Sequence, residues 1–362
     1  MRISSRQSRV KKDGSQERSS GFARKTAVGL SVASLALGLA ACGSSSKTSS
    51  SSGGKTPACN GAAPVPPNNG GYPMTAAKDP VPSAMPAGMP GAGKPPINLG
   101  DKNFSEEYIL GDLYQQALQS KGYTVNLKPN LGSSEITDKA LTSGQIDMYP
   151  EYDGNIYTLL GNIGQASANP EATYAAAKAW EAKRGFTVLN PTPFQDADAQ
   201  IVTKAFADKN GLKNIGDLLK LKHFTFGGPP ENATRFAGVV GLKQAYCLNN
   251  MTFLPTTIGT QYTVLDQGKA DTVAGETTDP QLNTGKYQVL NDNKGIYGFQ
   301  NVVPVVANKL IQSEGPQFSQ ILDLVDSKLT FKAMVAMNAA VQVDQKDPAQ
   351  VAGAFLKANG LT

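Results

Sequence analysis

IDMYPEYDGN, residues 146–155, reads as a β-strand running straight into a polar turn: Ile146 to Tyr149 are strand formers, and Pro150, Glu151, Tyr152, Asp153 and Asn155 follow at once. Upstream stands KNFSEEYILG, residues 102–111, in which Ser105 can cap a helix. Glu106 and Glu107 suit that helix's first turn, and Ile109, Leu110, Leu113 and Leu118 share one face. Polar groups and a tyrosine gathered where strands of an α/β domain end have the layout of a small-molecule site.

Outward from these stretches the same rhythm continues. Gly122 stops the first helix, 123–127 alternates as a strand, 134–143 is helical, and Gly144 stops that helix before the 146–149 strand. Residues 170–184 are helical and 186–190 extended. After a break at 191–200 the pattern restarts, with strands expected at 201–202, 224–226 and 270–274 and helices at 215–221, 236–246 and 262–267. Pro304 confines the apolar run 302–307 to a strand end or an edge, and 316–356 is helix-rich. βαβα order predicts a largely parallel sheet, and two such halves with a helical return predict two lobes with a cleft between them.

A chain of 362 residues with 40% apolar content can fill one large core or two ordinary ones. Its net charge of +5 resides in the leader: residues 1–41 carry eight Lys or Arg against Asp13 and Glu17, leaving 26 basic and 27 acidic residues elsewhere. The body therefore has no basic surplus for a nucleic-acid partner. The leader joins a cationic segment to an apolar run at 26–39, too short for a comfortable span, and ends in Leu39-Ala40-Ala41-Cys42. That ending resembles a bacterial lipobox. The resemblance implies cleavage after residue 41 and a diacylated Cys42, two chains being enough for stable anchoring at the extracytoplasmic face of the cell membrane. Residues 42–96 are mostly Ser, Gly, Pro, Ala and Asn and are expected to be a disordered tether. Cys59 and Cys247 are then two thiols in an oxidising setting. They are candidates for a disulfide, the alternative for Cys247 being a small buried apolar residue.

KNFSEEYILG, NLGSSEITDKAL (130–141), SGQIDMYPEYDGN (143–155), GGPPENATR (227–235) with GLKQAY (241–246), and GKADTVAGETTD (268–279) resemble, in that order, the substrate-binding proteins of osmoprotectant ABC importers of the glycine betaine, choline and carnitine type. The resemblance spans 97–360. It implies a type II periplasmic-binding-protein fold, with 97–195 and 301–362 in one lobe, 196–300 in the other, and closure about crossing segments near 195–200 and 298–302. It also implies a monomer that hands its ligand to ABC permease and ATPase subunits.

Family members that bind quaternary ammonium groups hold them among tyrosine rings by cation–π attraction, roughly 0.5 to 2 kcal/mol per face. By the resemblance Tyr152 keeps one wall, whereas the other three fall on Asp198, Glu276 and Gln300, with Phe194, Tyr297 and Phe299 near enough to restore a ring. The family's glutamine on the first helix becomes Glu107, its closing threonine becomes Asn155 beside Asp153, its crossing-segment acid is Asp196, and its carboxylate-gripping arginine is Arg235. Methylated ammonium groups donate no hydrogen bonds, so these acids predict a polar ligand carrying N–H or O–H donors, of amino-acid, polyamine or polyol type. Each residue also has a structural reading: first-turn acids for Glu106 and Glu107, turn and cap roles for Asp147 and Asp153, and a surface pair with Glu231 for Arg235. Gly227-Gly228 could cradle a phosphate, though a glycine pair alone is a weak signal.

No metal or cofactor motif is present, and His223 is the sole histidine, which excludes most catalytic triads. Paired acids keep glycoside chemistry open as an enzyme alternative. A surface lipoprotein serving uptake or sensing is the other.

Overall fold

The computed structural model describes residues 80–163, 167 and 169–362. The leader, Cys42, Cys59 and the tether up to residue 79 lie outside them. In chain order the first half holds β1 (Ile97–Gly100), α1 (Ser105–Gln119), β2 (Val125–Lys128), α2 (Ser134–Thr142), β3 (Met148–Tyr152), the single turn α3 (Asp153–Asn155), α4 (Pro170–Arg184) and β4 (Phe186–Val188). Next come β5 (Asp198–Thr203), α5 (Lys204–Asn210), β6 (Phe224–Gly228), α6 (Gly241–Gln244), β7 (Met251–Pro255), α7 (Gln261–Asp266), β8 (Thr272–Glu276) and β9 (Tyr287–Leu290). The return is β10 (Val302–Ala307), α8 (Asn308–Glu314), α9 (Pro316–Lys328), α10 (Phe331–Gln342) and α11 (Pro348–Ala358).

Two five-stranded sheets result, ordered β2-β1-β3-β10-β4 and β7-β6-β8-β5-β9. Both are mixed rather than largely parallel. β10 runs against β3 and β4, and β5 runs against β8 and β9, because these two strands carry the chain across from one sheet to the other. Each sheet is covered on both faces, so its strands read as apolar almost throughout. In β10, Val302 and Val306 enter the core built with α1, α9 and α10, while Val303 and Val305 enter the core on the opposite face with Tyr149, Tyr174 and Val188. In β5, Val202 joins the core with Phe224 and Phe226, whereas Ala199 and Ile201 join that with Val273 and Leu265. The body begins before Ile97, since Val81 and Met85 pack against the first core.

Three local expectations are corrected. β3 does not stop at Tyr149 but runs through Pro150 to Tyr152, and β10 lies between two neighbours despite Pro304. The reason is register: Pro304 sits directly opposite Pro150. Counting inward from the bonds Asp153 N–H to Asn301 O and Ala307 N–H to Asp147 O, that pair is a non-hydrogen-bonded one, so neither missing N–H is needed between these strands. The expected helix 236–246 is broken, because Gly238 adopts non-helical angles (φ −144°, ψ −135°) and only Gly241–Gln244 is regular. β7 and β9 had no sequence counterpart.

The chain crosses between sheets at 189–197 and 291–301. The two crossings are tied together by a bridge between Gln195 and Asn301 and by Asn301 Nδ2 donating to the carbonyls of Thr192 (2.9 Å) and Phe194 (3.0 Å). That bridge lies within both segments expected to act as hinges.

Candidate ligand site

A cavity of about 500 Å³ lies between the two sheets. One wall comes from the β1–α1 turn and the first turn of α1, from the end of β3, and from α10. The other comes from the start of β5, the end of β8, and the loops after β6 and β7. Of the residues expected from the sequence, Tyr152, Asn155, Asp196, Asp198, Arg235, Glu276 and Gln300 all line it.

Glu107 and Asp153 do not line it. Successive helical residues are rotated by about 100°, and the rotation turns Glu107 away from the cavity and Glu106 toward it. Glu107 Oε2 accepts the Lys102 N–H (3.1 Å), and its Oε1 lies 3.5 Å from Lys102 Nζ. Glu106 instead accepts from Tyr152 OH (2.9 Å), Thr278 OH (2.7 Å) and Asn338 Nδ2 (2.8 Å). Asp153 serves the backbone, its Oδ1 accepting the Asn301 N–H at 2.9 Å where β10 begins.

The rings proposed to restore an aromatic box are also placed elsewhere. Phe194 is buried in the first core, Tyr297 in the second with its OH donating to Gln200 Oε1 (2.9 Å), and Phe299 is buried outside the lining. The partner of Tyr152 is Phe104, stacked at 6.2 Å between centroids with 22° between planes. Lys102 Nζ stands 4.2 Å from the Tyr152 ring centroid and forms a buried ion pair with Glu151. Burial alone would lower the Lys102 pKa, but the fields of Glu107 and Glu151 hold it above its ordinary value. Phe104 was legible in principle, since it lies inside the motif KNFSEEYILG just ahead of the helix.

Carboxylates dominate the lining. Asp198 is pushed up to about 6 by burial, against the pull of Arg235 and Lys102. Burial raises Glu276 well above the usual range, and Asp198 and Asp196 raise it further. Asp196 is raised by burial and then by Glu106, although it accepts the Thr278 N–H at 2.9 Å. Arg235, expected to face a ligand or pair with Glu231, is committed across the cavity mouth to Glu135 at the start of α2, through Nε (3.2 Å) and Nη2 (2.6 Å). With the bonds from Thr278 to Glu106 and from Asn338 to Thr278 (3.1 Å), this fork joins the two halves around the cavity. Gly227-Gly228 ends β6 and leads into Pro229 with no regular helix directly after it, so it makes no phosphate cradle. Cys247 is disulfide-bonded, and the expected partner, Cys59, lies outside the described residues. No group of metal-ligating side chains and no helix long and apolar enough to cross a membrane occurs among the described residues.

A family model described as the substrate-binding domain of ABC-type glycine betaine transport systems matches residues 95–358. The glycine-betaine-binding protein of Pseudomonas aeruginosa is 29% identical over 277 residues, covering 73% of this chain and 88% of its own. The glycine betaine-binding protein YehZ of Escherichia coli is 27% identical over 280 residues, covering 74% and 92%. Among solved structures, that of a glycine betaine/carnitine/choline ABC transporter superposes with a TM-score of 0.60 at 25% identity, over 73% of this chain and 99% of that one.

Proposed function

Because the chain belongs to the family of substrate-binding domains of ABC-type glycine betaine transport systems, we propose that it captures a small polar solute bearing N–H or O–H donors for import, in place of a methylated ammonium compound. The observation that carries this reading is the cavity itself. Its volume of about 500 Å³ suits a small molecule, and it is walled by only one stacked ring pair and by carboxylates where an aromatic box would need rings. The family is one of transport proteins, and the protein acts by stoichiometric capture. Solute binding draws the two sheets together about the tied crossing segments, and permease and ATPase subunits receive the closed form. LAAC at 39–42 supports anchoring of the monomer by lipid on Cys42 at the extracytoplasmic face of the membrane.

Calorimetry and thermal shift against betaines, choline, amino acids, polyamines and polyols test the reading. One donor-bearing solute is expected to bind one to one, to raise the unfolding temperature and to shrink the radius of gyration measured by X-ray scattering. Micromolar glycine betaine binding that is abolished by Tyr152→Ala would refute the altered specificity. A panel without any binder would refute the capture function itself.

A further inference from the structure

The cavity offers acceptors that nothing in the protein satisfies. Asp198 opens β5 and Glu276 closes β8, directly opposite each other in an antiparallel register. Their side chains therefore share one face, with Cβ atoms about 5 Å apart, a placement in which like charges destabilise a sheet unless something positive stands between them. Both line the cavity, and no described residue donates a hydrogen bond to either carboxylate.

A second observation is independent of this pair. Asn338 on α10 is 1% exposed and lines the same cavity. Its Nδ2 is spent on Glu106 and Thr278, but its Oδ1 has no partner, and neither has Oε1 of Gln281, also in the lining. A buried amide oxygen left in this state costs about 1–3 kcal/mol unless an occupant brings a donor. The charges point the same way. Glu106, Asp196, Asp198, Glu231, Glu276 and Asp279 line the cavity against only Lys102 and Arg235, and both cations are already engaged, Lys102 with Glu107 and Glu151 and Arg235 with Glu135.

We infer that the Asp198–Glu276 pair is a subsite for the N–H-bearing cationic group, a primary ammonium or a guanidinium, of a solute with net positive charge. The inference rests on the reading of this chain as a solute-capturing component and names the solute class. Such a group supplies the missing charge and at least two N–H donors, enough to reach both carboxylates. A quaternary ammonium brings charge without a donor, and a polyol brings donors without charge. The ring face a quaternary group would prefer, that of Tyr152, already has the Lys102 ammonium beside it.

The test is calorimetry on the full-length chain with ethanolamine, putrescine and agmatine against choline, glycine betaine and sorbitol. At least one N–H cation is expected to bind tenfold or more tightly than choline, and Asp198→Asn and Glu276→Gln are each expected to weaken it tenfold or more. Both substitutions remove charge from a crowded pair, so their unfolding temperatures should equal or exceed that of the parent, and either variant alone suffices. Choline, glycine betaine or sorbitol binding as tightly as the best N–H cation, or affinity unchanged in both variants, overturns the inference and leaves capture standing. Silence from every probe removes capture and the inference together.

Discussion

At the scale of single residues, the cavity acids make the empty protein sensitive to pH. The Asp198 carboxyl sits at about 6 when folded against 3.8 ordinarily, so the folded chain holds a proton there that the unfolded chain has released. Stability from this group is fullest below 3.8 and is lost as pH rises through about 6. The charged groups facing it, Arg235 and Lys102 with Glu231 and Glu276, set its value without reversing that sign. The unfolding temperature of the ligand-free protein should therefore fall across this interval. The fall should be smaller in Asp198→Asn, as scanning calorimetry at matched ionic strength can show. The fork from Arg235 to Glu135 is a different kind of contact, with the Glu135 side chain 43% exposed. Glu135→Gln is expected to change stability by less than about 1 kcal/mol. It should nevertheless enlarge the radius of gyration of the ligand-free protein, because the fork is one of few bonds across the cavity mouth. An unchanged radius would count against a closing role for the fork.

At the scale of elements, β3, α3 and β10 form the unit that delivers the motif 146–155 to the cavity. Facing prolines 150 and 304 leave the ladder intact, and Asp153 fastens α3 to the start of β10. Gly154 is required at this junction. A Cβ there would run into the Phe299 carbonyl and the Gln300 side chain, whose Oε1 accepts the Asn155 N–H at 3.0 Å. Gly154→Ala should cost about 1–3 kcal/mol in denaturant melts by overpacking. It should also weaken ligand binding by displacing Gln300 from the lining. A variant as stable as the parent would mean that the two crossings are held less closely than described. Much of this level was legible in sequence, since α1 and α2 show their apolar periodicity and their glycine stops. The mixed strand directions and the central place of β10 were not, because strand order depends on which distant segments pair.

At the scale of the whole body, each sheet has its own pair of cores, so each half can move as a unit while the crossings bend. Thr278 then stands out: it lies beyond β8, yet it donates to Glu106 on α1 and accepts from Asn338 on α10. These bonds exist only when the halves meet. Thr278→Val is expected to leave both cores and their far-ultraviolet dichroism intact while weakening the solute several-fold, chiefly through faster release in stopped-flow measurements. Release at the parental rate would assign closure to the solute alone.

The sequence by itself determined the family, the alternation of strands and helices, and most of the polar positions around the cavity, because periodicity, glycine stops and ordered motifs are local properties of the chain. Only the tertiary structure decided that Glu106 rather than Glu107 faces the cavity, that Phe104 rather than Phe194, Tyr297 or Phe299 stacks on Tyr152, and that Arg235 is held by Glu135. It alone brought Asn338 and Thr278 to Glu106 from far along the chain. Those outcomes depend on the rotation of a helix and on the closure of two separately built halves, and neither is encoded in any short stretch of residues.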